Sequence, residues 1–205
     1  IMPSLVGSEM CIRDRSSVFS MVGRQLGDGM ARKKDGDVIA LYPNLNSSST
    51  LGAAAAELSA INLTGCIAHA KANKFPTPVY VIHHPNAVAE FVKSAAVTPS
   101  VNYPVPDGWS ADLLKNFYVG LRPINGVPVF EDGNISADSE GDGIGAIASK
   151  GAMATLTSVK MKTERQRDAS LRGTEVVITA DYGVFELDDS HGAPMTYDVA
   201  ALATS

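Results

Sequence analysis

The side chains in this sequence able to bind metal, move protons or attack a carbonyl are few: four histidines, two cysteines and a set of clustered carboxylates. His83 and His84 are adjacent, at the end of the apolar run 79–82. Adjacent strand residues point to opposite faces, so one metal site cannot easily use both. His69 and His191 have no ligand-type spacing with the pair. The pair therefore predicts one buried, hydrogen-bonded imidazole and one at the strand end. The catalytic alternative is a small α/β hydrolase or transferase using one of these histidines, to be tested by alanine substitution of both.

Asp132, Asp138, Glu140 and Asp142 could offer carboxylate oxygens to a cation. A calcium loop of the helix-loop-helix type needs a Glu at its twelfth position, and counting from Asp138 that position is Ser149. The stretch predicts an exposed, solvated loop and no metal site. Gly141, Gly143 and Gly145 resemble a phosphate-binding turn, but the next required glycine position holds Ala146 and the run enters a strand rather than leaving one for a helix. No dinucleotide site, and no other cofactor, is expected. Cys66 lies among small and apolar residues, where a buried inert thiol is the ordinary reading. There is no G-x-S-x-G elbow. No catalytic residue is nominated and the chain does not read as an enzyme.

One segment is unusual by charge. Residues 164–173 join two long β segments and carry Arg165, Arg167, Asp168 and Arg172. Residues 150–172 hold six positive and two negative side chains, whereas residues 173–205 hold six negative and none positive. Solvated surfaces normally intersperse the signs. Separation by sign along neighbouring strands suits a protein that meets copies of itself, because complementary patches fix register and steer association. A chance distribution, or pairing inside one subunit, accounts for the charges equally well at this stage. Under the assembly reading the interface candidates are Arg165, Arg167, Asp168, Arg172 and Glu175.

The elements that must position these residues follow from periodicity. Val18, Val22, Leu26 and Met30 recur every four positions and predict a helix over 16–34, ended by Asp35-Gly36. Gly23, Gly27 and Gly29 weaken it by about 1 kcal/mol each relative to Ala, so it needs packing, with the glycines permitting close approach to a sheet. Residues 37–42 read as a short strand, 59–74 as a helix, 79–82 as a centrally buried strand, and 86–95 as a helix with Pro85 in its first turn. Residues 98–109 read as loop and 112–116 as a short helix. Residues 118–121 and 127–130 read as strands joined by the Asn125-Gly126 turn. Residues 155–163 and 175–187 are long β segments, the first with Val159, Met161 and Thr163 alternating with Lys160, Lys162 and Glu164, so that one face is wet. A helix, a mixed middle and terminal strands make an α+β plan.

Composition bounds the rest. The 205 residues allow one domain or two modest lobes, and 45% hydrophobic with 19% charged residues is ordinary for a globular protein. A net charge of −5 gives no sign of a nucleic-acid binder, and no apolar run approaches the ~20 residues of a membrane helix. Cys11 and Cys66 make no disulfide framework, which points to a reducing compartment. Residues 1–15, IMPSLVGSEMCIRDR, follow no signal-peptide plan. They resemble a translated sequencing-adapter read and are set aside as a non-native leader; a disordered natural terminus is the alternative.

The last sixty residues carry a resemblance. GAIASKGAMA (145–154) followed by ERQRDASLRGTEVVITADYGVFELDD (164–189) is similar to the closing segment of tailed-phage major capsid proteins with the Hong Kong phage-type fold. Upstream, PTPVYVIHHPNAVAEF (76–91) resembles that family's strand, His-Pro and helix element, and VGLRPINGVPVFEDGNI (119–135) its Gly-Val strand element. The motifs are individually loose, but their order is specific. The resemblance implies an α+β capsid fold with a spine helix and long-stranded peripheral domain (16–54 and 148–205) around an inserted α/β axial domain (55–147). It further implies hexamers and pentamers of this chain closing into an icosahedral shell, scaffolding and portal partners, and non-specific contact with packaged DNA. The location implied is the virion, after assembly in the host bacterial cytoplasm. Family members carry an N-terminal arm and extended loop before the spine helix, so the chain reads as truncated. The alternative within the same fold is an encapsulin-like nanocompartment shell.

Overall fold

The structure, a computed structural model, describes residues 16–46, 49–97, 126–170 and 173–201. The expected helix at 112–116, strand at 118–121, loop at 98–109 and Asn125 half of the tight turn lie outside these residues. The chain divides into two compact units, one of residues 1–35 and 155–184, the other of residues 36–154 and 185–205.

The first unit pairs a helix with a two-stranded ribbon. Helix α1, Ser16–Ile39, begins as expected but passes through Gly36 instead of ending there. The predicted strand at 37–42 is therefore helix and turn. The reason is burial: Val38 and Ile39 pack beside Tyr42 and Leu45 in the second unit's core, and one more turn of helix delivers them there, the Ala40 N–H donating to the Gly36 carbonyl at 3.0 Å. Tertiary packing outweighs a weak helix breaker. In the first unit Val18, Val22, Leu26 and Met30 form a half-buried face, as their spacing predicts. Gly23 and Gly27 share that face, yet a Cβ placed on either, or on Gly29, would meet nothing within 4 Å. The expected close approach of these glycines to a sheet is absent among the described residues.

The ribbon consists of β5, Met153–Asp168 (16 residues), and β6, Gly173–Glu186 (14 residues). Paired strands joined by so short a link can run only antiparallel.

The second unit is built on a five-stranded mixed sheet. Its strands are β1 (Leu51–Gly52), β2 (Val79–His83), β3 (Val129–Glu131), β4 (Asp142–Ser149) and β7 (Gly192–Asp198), in the order β1-β7-β4-β2-β3. β4 pairs antiparallel with both β2 and β7, while β2–β3 and β1–β7 are parallel. β3 thus lies beside β2, with Val81 opposite Val129. β2 is interior, as its continuous apolar character predicts. Helix α2, Ala60–Ala72, starts where Ser59 accepts the Asn62 N–H, and helix α3 spans Pro85–Val97.

Alternation along the strands divides two cores. Val81, Ile147 and Met195 face α2 and α3, packing with Leu58, Leu63, Ile67, Val88 and Phe91. Ile82, Ala146 and Ala148 face the other way, onto Tyr42, Leu45 and Ile135. Each fully buried Leu, Ile or Val contributes about 1.5–3 kcal/mol.

Candidate functional site

The arginine-rich crossover is the tip of the ribbon. Asp168 ends β5 by accepting the Ser170 N–H (2.7 Å) and hydroxyl (2.6 Å), a turn built from the strand's last side chain. Arg165 and Arg167 precede it, exposed on β5, and Glu175 is exposed near the start of β6. The structure therefore brings four of the five interface candidates to one end of the ribbon. Arg172 lies outside the described residues.

Side-chain alternation separates the ribbon's faces. The Arg165 guanidinium sits over the Phe19 ring of α1 at 4.9 Å, and the Lys34 ammonium over the Tyr182 ring at 5.0 Å. Such cation–π contacts contribute about 0.5–1 kcal/mol at exposed sites. They place α1 on the face of Arg165 and Tyr182, and Val176, Ile178, Ala180, Tyr182 and Val184 are half-buried accordingly. The sequence reading gives neither cation–π contact; Phe19 and Lys34 fall one residue and four residues, respectively, from positions of the apolar stripe, and that spacing is the signal that could have found them.

β5 is less covered. Val159 and Met161 share the helix-bearing face but are 47% and 50% exposed, and Leu156 on the opposite face is 64% exposed. The face of Lys160, Lys162 and Glu164 is exposed as its alternation predicts, and the other face of β5 is open as well. On the opposite face Lys162 meets Glu164 at 2.8 Å, two residues along the strand. Their hydrogen bond, and after it the attraction of opposite charges, raises the lysine and lowers the carboxyl relative to their ordinary ranges. The site is thus a long, charged, partly apolar ribbon with open β5 faces, suited to recognition by surface.

The histidines take the positions expected of them. His83 is fully buried and His84 follows the end of β2. The Nδ1 of His83 accepts the His84 N–H (2.9 Å), so its Nε2 carries the proton and donates to the Met195 carbonyl at 3.2 Å. Burial, the largest influence, pushes this imidazole down to about 4. Its ring packs edge-on to Tyr197, 5.8 Å between centroids, and an added Cβ at Gly145 would overlap it. The Tyr197 hydroxyl lies 3.3 Å from the Cys66 sulfur, and burial pushes both groups upward, away from the ionised forms that would react.

The acidic loop is less exposed than expected. Asp142 is buried, and its Oδ1 accepts the Ala55 N–H at 2.8 Å, holding a residue of positive φ. Asp138 accepts the N–H groups of Asp142 and Glu140, which hold its carboxyl below the usual range. These are structural bonds. Among the described residues no three His, Cys, Asp or Glu side chains converge on a common metal position, and no helix is long and apolar enough to cross a membrane.

The family model described as phage capsid protein matches residues 9–193. No curated protein is matched by sequence. Among solved structures, one from Mycobacterium phage Che8 is similar at a TM-score of 0.63 and 14% identity, covering 88% of this chain and 63% of that one. The capsid of cyanophage P-SCSP1u is similar at 0.62 and 16% identity, covering 95% of this chain and 69% of that one. The holo-SrpI encapsulin complex from Synechococcus elongatus PCC 7942 is similar at 0.53 and 14% identity, covering 89% and 66%. The chain therefore spans roughly two thirds of the length of these structural relatives, and shares their α+β fold.

Proposed function

This chain belongs to the phage capsid protein family, and from that premise we propose that it is a major capsid subunit that associates with copies of itself into the icosahedral head of a tailed bacteriophage. The observation that carries the proposal is the ribbon. A two-stranded sheet of this length is marginal alone, and exposed strand edges are templates for association. Here both faces of β5 stay open and carry Leu156, Val159 and Met161. Neighbouring copies would cover them. The charges at the tip, Arg165, Arg167 and Asp168 against Glu175, would select register, with Arg172 as the fifth candidate.

In this reading residues 16–54 and 148–205 form the peripheral domain and residues 55–147 the axial domain; the compact units divide the chain elsewhere, after residues 35, 154 and 184. The role is structural, without catalysis. The finer partners are hexamers and pentamers of the chain, scaffolding and portal proteins, and packaged DNA touched without sequence preference. The location is the virion, after assembly in the host cytoplasm. Similarity to an encapsulin leaves a nanocompartment as the second reading; a portal or terminase gene nearby favours the phage head, a ferritin-like or peroxidase gene the compartment.

Charge reversal tests the interface. Arg165→Glu with Arg167→Glu should leave the monomer folded by circular dichroism but reduce fast-sedimenting assemblies in velocity centrifugation. The loss should shrink as salt rises, since exposed charges are screened beyond ~8 Å at physiological ionic strength. Unaltered assembly at physiological salt would remove the charge argument.

A further inference from the structure

The His83-His84-Pro85 junction is built from two consecutive imidazole acceptors. The His84 N–H, the last of the turn out of β2, donates to Nδ1 of His83 at 2.9 Å. One step on, the Asn86 N–H donates to Nδ1 of His84 at 3.1 Å. Pro85 opens α3, so His84 is the helix N-cap and its ring takes the place usually held by a Ser or Asp oxygen, accepting from the second helical residue. The helix continues with the Val88 N–H on the His84 carbonyl at 3.2 Å. Asn86 then ties this first turn to the end of β7, its side-chain amide donating to the Val199 carbonyl at 2.9 Å.

An imidazole can accept at Nδ1 only while that nitrogen is unprotonated. Protonated at both nitrogens, either ring would direct an N–H at the backbone N–H it now receives. For the His83 ring, the neighbouring His84 adds to the cost of a positive charge. Around His83 the Met195 carbonyl favours the protonated ring, but burial outweighs it. From β7 come the Met195 carbonyl and the Tyr197 ring, and from α2 comes Cys66, hydrogen-bonded to Tyr197. From β3 the register partner Glu131 is exposed, and the following Asp132 donates its N–H to the His83 carbonyl while its carboxylate accepts the Asn134 N–H. From β4 the neighbour is the bare backbone of Gly145. Among the described residues no carboxylate bonds to either ring.

We propose that His83 and His84 form an acid-released latch, in which protonation at Nδ1 withdraws the acceptors that hold the start of α3 and so frees its first turn from β2 and from the end of β7. The sequence signature is a histidine pair directly before a helix-initiating proline, with both rings used as acceptors. The burial that holds the His83 ring neutral at ordinary pH fits the same device, because it confines release to acid conditions.

The test is amide hydrogen exchange on the full chain, read by NMR between pH 7 and pH 3.5 and corrected for intrinsic rates. Protection at Asn86, Ala87 and Val88 should fall about fivefold or more beyond any change at the α2 amides, the usual scale of an N-cap loss. His83→Gln with His84→Asn leaves no titrating acceptor at the junction and should keep protection at these residues nearly level across the range. A uniform change in both helices, or the same acid loss in that double variant, would overturn the latch. If that variant does not fold, the imidazole 15N shifts of the unaltered chain decide. Both rings should be Nε2–H tautomers at pH 7, and an Nδ1–H tautomer at either would refute the proposal.

Discussion

The glycines of α1 give the most quantitative prediction. Gly23, Gly27 and Gly29 lie well inside a 24-residue helix, and a Cβ added at any of them meets nothing within 4 Å. Replacing Gly by Ala in a helix interior gains about 1 kcal/mol where there is no clash. The triple variant Gly23→Ala, Gly27→Ala, Gly29→Ala should therefore stabilise the helix in the isolated subunit by about 3 kcal/mol, since no lost contact offsets the gain. Hydrogen exchange of the α1 amides in the monomer is the direct assay, because local opening is read without assuming that both units unfold together. Protection should rise on the order of 100-fold, at about 1.4 kcal/mol for each factor of ten. Unchanged or reduced protection would refute the reasoning, showing that the helix or its surroundings differ from the structure. The same variant bears on assembly. A more stable monomer that no longer assembles would show that the bare glycine face is reserved for another copy, whereas normal assembly would assign that contact elsewhere.

Two further predictions concern the five-stranded unit. His83 is held down to about 4 while an unfolded histidine titrates near 6.5, so between these values the unfolded chain binds a proton that the native chain refuses. Its contribution is fully present above pH ~6.5 and is lost as pH falls toward 4, by about 3 kcal/mol in all. Urea titrations should show the unit's stability falling over that window more steeply than in His83→Gln, and parallel profiles would dismiss the linkage. Gly145→Ala drives a methyl group into the His83 ring and the Ile82 carbonyl, and should cost about 1–3 kcal/mol, measured as a lower urea midpoint.

Much of the fold was legible because its signals are local. Ser59 with an apolar stripe announces α2, Pro85 announces α3, and the apolar run before His83 announces a buried strand. What was missed depends on distant partners. β7 contains Gly192, Ala193 and Pro194, poor strand residues by propensity, and is a strand because β4 pairs along its whole length and Leu45 packs where a Gly192 side chain would be. β1 is two residues long and exists only through β7. The end of α1 is set by the pocket awaiting Val38 and Ile39, which no window around Gly36 displays. At the candidate site, charge segregation pointed to the ribbon tip, but the openness of both β5 faces could not be read from alternation. Alternation states which residues share a face, and the cover on that face comes from elsewhere in the chain or from another copy.

The central claim is that this chain builds a shell by meeting itself. Negative-stain imaging of the gene product, expressed with any scaffold, measures that most directly. Closed shells or capsomer rings are the predicted result; a strictly monomeric product at every salt concentration would contradict it.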